Sequence, residues 1–210
     1  TYMGPLWSHP LKHGADLVIY SATKYIGGHS DLIAGAVLGK ADSMSRVKVL
    51  RTFLGNMASP HTCWLLLRSL ETLKIRMEQQ AKSAEAIAAF LVQHPKVLKV
   101  HYLGLIKESS ASYAVYKKQY SSPGAMIAFD IDGDEAAAFR FLNKLTLVKL
   151  AVSLGSTESL VQHPASMTHI GIDSDLKIKM GISERLIRFS VGVEHPEDLI
   201  SDLSHALEAI

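Results

Sequence analysis

The chain has 210 residues, 48% of them hydrophobic and 20% charged, with a formal net charge of +2. That length and balance allow one large domain or two small ones around a sizeable core, and with no basic block nothing favours nucleic acid or an anionic membrane. No apolar run approaches the roughly 20 residues of a membrane span, and a lone cysteine, Cys63, excludes an internal disulfide and fits a reducing cytoplasm.

The first residues, Thr1-Tyr2-Met3-Gly4-Pro5, carry neither a basic nor an apolar leader region, and the chain is expected to begin inside a longer protein. Asp16 to Tyr20 is a short apolar run that reads as a buried strand, and Ile33 to Gly39, a second apolar run closed by glycine, reads as another strand. Between them Ser21 to Asp31, rich in Gly, Ser and Thr, reads as a loop. From Pro60 to about Val92 helical spacing predicts one long amphipathic helix, with Leu66, Leu70, Leu73 and Met77 along its stripe and Ile87, Phe90 and Leu91 beyond. Such a helix is a natural bridge between two domains, and a boundary is expected near residue 75.

After His94-Pro95, strands are predicted around Val97, Val100 and Tyr102 and from Ala125 to Ile131. A helix follows from Asp134 to Leu142, acidic in its first turn as the helix dipole favours. A strand from Leu186 to Val191 and a final helix opened by His195-Pro196-Glu197-Asp198 complete the pattern. Interleaved strands and helices indicate an α/β protein whose second half is α+β.

The densest chemical signal is Ser21-Ala22-Thr23-Lys24-Tyr25-Ile26-Gly27-Gly28. Loops past strand ends in α/β proteins are where ligands bind, and hydroxyls beside a glycine-rich turn suit a phosphate. A lysine placed there can form a Schiff base with an aldehyde cofactor if its surroundings lower its pKa. By itself, a lysine in a polar loop is far more often a surface residue. His29 with Asp31, and His163 with His169, raise a metal hydrolase as a competing class, but no His-Glu-x-x-His or paired-cysteine motif accompanies them, so no metal is expected. Trp7 and Trp64 read as packing residues, and Cys63 as buried.

The stretch from His13 to Gly39 resembles the lysine motif of the Cys/Met metabolism enzymes dependent on pyridoxal phosphate (PLP). The likeness continues through Ser59–Met77, Leu150–His169 and Arg185–Leu203. It implies an aspartate-aminotransferase-like (fold type I) architecture, with residues 1–75 ending the large PLP domain and 76–210 forming the smaller C-terminal α+β domain. It also implies Lys24 as the Schiff-base lysine, Ser21 and Thr23 as phosphate contacts, and Arg188 with Ser153 on the substrate α-carboxylate. Apart from the motif, Arg188 would read as half of a structural salt bridge and Ser153 as a loop serine.

Members of this family are about twice as long, so the resemblance implies a missing N-terminal half holding the aspartate that meets the cofactor ring nitrogen. It further implies a homotetramer built as a dimer of dimers. Val152 stands where cystathionine-processing members often carry glutamate, and its apolar side chain suits a thioether such as that of methionine. The expected activity is therefore methionine γ-lyase-like, with cystathionine γ-synthase, cystathionine lyase or O-acetylhomoserine sulfhydrylase chemistry as the alternative. Arg51-Thr52 departs from the Lys-Asp usual in methionine γ-lyases. A non-catalytic assembly half is the alternative of another class.

Overall fold

The computed structural model describes residues 1–210. A short helix α1 (Gly4–Trp7) leads into strand β1 (Leu17–Ser21), which pairs antiparallel with β2 (Gly35–Gly39) in a two-stranded ribbon. Helix α2 (Ala41–Leu54) follows and ends on Gly55 in the left-handed conformation. It buries none of its residues against the rest of the chain, and neither its N-cap nor its periodicity marks it in the sequence.

Helix α3 (Pro60–Glu71) begins where Ser59 Oγ accepts the Thr62 N–H, with Pro60 in the first helical position that suits it. The single long helix expected from Pro60 to Val92 is in fact two, because α4 (Leu73–Gln93) starts anew after a break at Thr72. The break leaves carbonyl groups at the end of α3 without partners in their own helix. The buried Arg76 guanidinium takes one of them, donating from Nη2 to Ser69 O at 2.9 Å and from Nε to Thr72 Oγ1 at 3.2 Å. A stripe of Leu73, Met77, Ala81, Ala84, Ile87 and Leu91, spaced by three or four, then turns α4 onto the core.

Beyond His94 the chain builds one five-stranded sheet in the order β3 (Val97–His101), β4 (Met126–Ile131), β7 (Leu186–Ser190), β6 (Leu160–Gln162), β5 (Lys149–Leu150). All neighbours are antiparallel except β5 and β6. Helices α5 (Ala111–Gln119), α6 (Glu135–Lys144) and α7 (Ser174–Lys179) fall between the strands, and α8 (Pro196–Leu207) closes the chain. The Asp134 carboxylate caps α6 by accepting the Ala137 N–H at 2.9 Å. The core fills the space where α4, α6 and α8 meet the sheet. Phe129 and Phe141 meet there edge to face at 5.9 Å, the arrangement aromatic quadrupoles prefer.

Asp202 on α8 secures the turn between α6 and β5. Its carboxylate accepts the N–H groups of Thr146, Leu147 and Val148 and the Thr146 hydroxyl, at 2.8 to 3.0 Å. Two packing expectations fail. Trp7 is buried, edge-on to Tyr25, but Trp64 is exposed beneath the Arg68 guanidinium. Cys63 is exposed as well, because the face of α3 that carries it meets nothing in this chain.

Candidate active site

The ribbon's first strand delivers Lys24. After β1 the chain turns sharply, with Lys24 N–H donating to Ser21 O and Gly28 N–H donating to Lys24 O. Thr23 ties this turn to the approach to β2. Its hydroxyl accepts from Ala34 N–H at 3.0 Å and donates to Ala34 O at 3.3 Å. Below the turn, Arg76 Nη1 donates to Tyr25 O at 2.9 Å. Gly28 has φ +70°, and a Cβ there would strike that same guanidinium, so glycine is required on both counts.

Lys24 is half-buried and faces the loop between β5 and β6. Its Nζ donates to Ser153 Oγ at 2.9 Å, joining residues 129 positions apart. Arg188, on the central strand β7, approaches the same loop and donates from Nη2 to Val152 O at 2.7 Å and to Ser153 O at 3.0 Å. It is the one residue of that strand that is not fully buried. Lys24, Ser153 and Arg188 thus form a single array, with Val152 at its edge presenting an exposed side chain.

Electrostatics follow from this crowding. Burial first, and then the neighbouring Arg188 charge, push the Lys24 ammonium below the usual lysine range. A larger share of free amine at neutral pH is what an amine nucleophile or base requires. Burial also lowers Arg188, although a guanidinium stays protonated at any ordinary pH. The salt-bridge reading of Arg188 fails, since the chain's ion pairs lie elsewhere. Its buried Nε has no hydrogen-bond partner at all. A buried, charged and unspent donor is costly, and a planar carboxylate is the ligand that matches a guanidinium fork.

These features fit a PLP site in part. The donor set holds a depressed lysine for the aldehyde and an unspent guanidinium for a substrate carboxylate. Ser21 spends its backbone N–H on Thr1 Oγ1 and keeps its hydroxyl for a phosphate, whereas Thr23 would have to give up its bond to Ala34 O to reach one. His163 is buried between Ser166 Oγ and Glu184 O, each at 2.7 Å, which occupies both ring nitrogens.

The residues that hold the array in place were not singled out from the sequence. Arg76 and Gln80 interrupt the apolar stripe of α4, and a polar residue on a buried helical face is the signal that marks them. Gln80 Nε2 donates to Ser156 O at 2.6 Å and to Val191 O at 3.1 Å. Ser190 Oγ accepts Gly155 N–H at 2.9 Å.

A family model for Cys/Met metabolism PLP-dependent enzymes matches residues 1–208. L-methionine γ-lyase of Porphyromonas gingivalis is 46% identical over the whole of this chain, which covers 53% of that relative. The L-methionine γ-lyase of Pseudomonas putida is 44% identical, with 52% of it covered. Among solved structures, cystathionine γ-synthase from Xanthomonas oryzae in complex with cystathionine superposes with a TM-score of 0.93 at 40% identity, covering 100% of this chain and 54% of that one. The chain spans about half the length of the curated relatives it matches. With the match running through nearly every residue, the chain belongs to the Cys/Met metabolism family of PLP-dependent enzymes.

Proposed function

We propose that this chain supplies the cofactor lysine and the carboxylate-binding arginine of a carbon–sulfur lyase. The complete enzyme would perform α,γ-elimination on L-methionine or a close relative, consuming water and giving 2-oxobutanoate, ammonia and a thiol. The observation that carries this reading is the Lys24–Ser153–Arg188 array, in which a depressed amine lies beside an unspent guanidinium donor.

PLP, when bound, supplies a conjugated electron sink for negative charge developing at the substrate Cα. Lys24 holds it and, once released by the substrate amine, serves as base at Cα and proton shuttle toward Cβ. Arg188 orients the substrate by its α-carboxylate through Nε, and the Ser153 hydroxyl, which accepts from Lys24 Nζ while the site is empty of substrate, joins Arg188 on that carboxylate. Ser21 donates its hydroxyl to the phosphate, and Thr23 joins it by exchanging its bond to Ala34 O. Val152 offers the distal end of the substrate an apolar wall, suited to a thioether rather than a second charged amino acid.

In this reading residues 1–75 end the PLP-binding domain and residues 76–210 form the C-terminal α+β domain. The partner is the N-terminal half of the same enzyme, within a cytoplasmic homotetramer. No helix of the chain is long and apolar enough to cross a membrane. A cystathionine γ-synthase or lyase reaction, or an O-acetylhomoserine sulfhydrylase-type transfer, is the second reading, favoured by the close superposition on a synthase that holds cystathionine. A non-catalytic assembly half is the third.

Borohydride reduction of the full-length, PLP-loaded enzyme should fix the cofactor to the peptide that contains Lys24, and labelling of another lysine overturns the assignment. Parallel assays with methionine, cystathionine and O-acetylhomoserine should show methionine giving 2-oxo acid fastest. Faster cystathionine cleavage or thioether synthesis moves the assignment to the second reading, and a loaded enzyme inert to all three moves it to the third.

A further inference from the structure

Ser153 lies in a loop that runs free of helix and strand between Ala151 and Ser159, and its hydrogen bonds go only to Lys24 and Arg188, the residues it must be placed against. What holds the loop lies two to four residues further along. Ser190, fully buried at the end of β7, accepts the Gly155 N–H at 2.9 Å. Gly155 itself has φ +76°, and a Cβ there would come within 2.9 to 3.0 Å of the Tyr25 backbone nitrogen and ring, so the loop lies flat against the residue that follows Lys24. Gln80, also fully buried, then takes Ser156 O and Val191 O on one amide nitrogen. Finally Thr157 N–H donates to Gly28 O, and Ser156 Oγ meets Ser30 Oγ at 2.5 Å.

We propose that Ser190 and Gln80 are positioning residues that set where Ser153 and the Val152 and Ser153 carbonyls stand relative to Lys24 and Arg188. The proposal rests on the roles assigned to those residues under the proposed function. Both clamps grip main-chain groups, and both are anchored on elements that belong to the core, β7 and α4. Ser190 also lies two residues from Arg188 on the same strand, so loop and guanidinium share one rigid support. Without the Ser190 acceptor the Gly155 N–H is buried and unpaired, and the loop relieves that cost by moving toward water. Such a movement carries Ser153 from Lys24 and takes two carbonyl acceptors from Arg188.

The test uses the full-length enzyme with Ser190→Ala, Gln80→Met, Ser153→Ala and the double variants that combine the last with each of the others. In the PLP-free protein, amide hydrogen exchange over the peptide spanning residues 154–157 should quicken in Ser190→Ala and Gln80→Met. In the loaded enzyme, KM for L-methionine should rise about tenfold and kcat fall by no more than about threefold, because substrate positioning rather than bond breaking is disturbed. In the Ser153→Ala background the KM effect of either substitution should shrink, because the hydroxyl's share is already lost while the carbonyls' share remains, and any loss of thermal stability should persist. Additive KM effects, or unchanged exchange in whichever variant folds, overturn the positioning role. A Ser153→Ala enzyme with wild-type KM instead overturns the role given to Ser153 and leaves the exchange result to judge the clamps as loop anchors.

Discussion

The two ends of this chain handle their apolar side chains in opposite ways. In the region from β3 to α8, a central strand is covered by neighbours on both sides, and Phe129, Ile187 and Leu203 are wholly enclosed. In the region from β1 to α3, a two-stranded ribbon has no further strands, Ile33 is 90% exposed and Phe53 84% exposed, and α2 buries nothing. An isolated ribbon of two strands is marginal in water, and the large apolar side chains around it find no cover within this chain. The difference teaches where each property resides. The enclosed core belongs to the downstream sheet and its helices, while the proposed site lies at the seam, with Lys24 contributed by one region and Ser153 and Arg188 by the other.

Four substitutions break or sharpen that contrast. The largest loss of stability should come from Phe129→Ala, at about 3–5 kcal/mol in urea unfolding, since the enclosed ring leaves a cavity beside Phe141. At the seam, Arg188→Ala should cost the assembled enzyme about 2–5 kcal/mol in kcat/KM for methionine while the bound-cofactor absorbance remains. An unchanged kcat/KM would return Arg188 to a purely structural role.

Asp202→Asn should cost about 2 kcal/mol, as four donors lose a charged acceptor. Burial alone would raise this carboxyl, but the N–H groups of Val148, Thr146 and Leu147 and the Thr146 hydroxyl outweigh it and hold the group below the usual aspartate range. With the folded pKa below the unfolded value of about 3.9, this stabilisation is present above that pH and disappears as pH falls through the folded pKa. Wild-type and Asp202→Asn stabilities should therefore converge in acid, and a constant gap across pH would refute the charge-based account. The smallest effect belongs to Phe53→Ser, which should shift unfolding of this 210-residue chain by no more than about 0.5 kcal/mol. In the full-length enzyme the same change should cost several times more, and equal costs in both would show that nothing covers α2.

Legibility in the sequence followed that division only in part. Strands β4 and β7 and helices α6 and α8 were readable because enclosed elements carry period, caps and apolar runs together. Strands β1 and β2 were readable from apolar runs alone, and the buried strand expected at β1 leaves Leu17 and Ile19 exposed. Helix α2 was not, since residues that pack against nothing within the chain show no stripe, and α5 and α7 are short and exposed for the same reason. The break at Thr72 has neither glycine nor proline to announce it and depends on Arg76 reaching Tyr25, a contact across 51 positions. Lys24, Ser153 and Arg188 were found by their resemblance to a family motif. Spacing alone would have left Ser153 an ordinary loop serine. Ser190 and Gln80 were missed because a buried hydroxyl or amide shows its purpose only once its main-chain partner is known.

The gap of 129 positions between Lys24 and Ser153 also bears on how the protein is made. A ribosome adds about 5–20 residues each second. Lys24 therefore emerges on the order of ten seconds before Arg188 is even synthesised, and β7 must still pair between β4 and β6 before the guanidinium reaches its loop. Until then the Arg188 charge, the lesser of the two causes that lower the Lys24 pKa, is absent. An array that draws on both ends of the chain is therefore a late product of synthesis, complete only after β7 has found its place in the sheet.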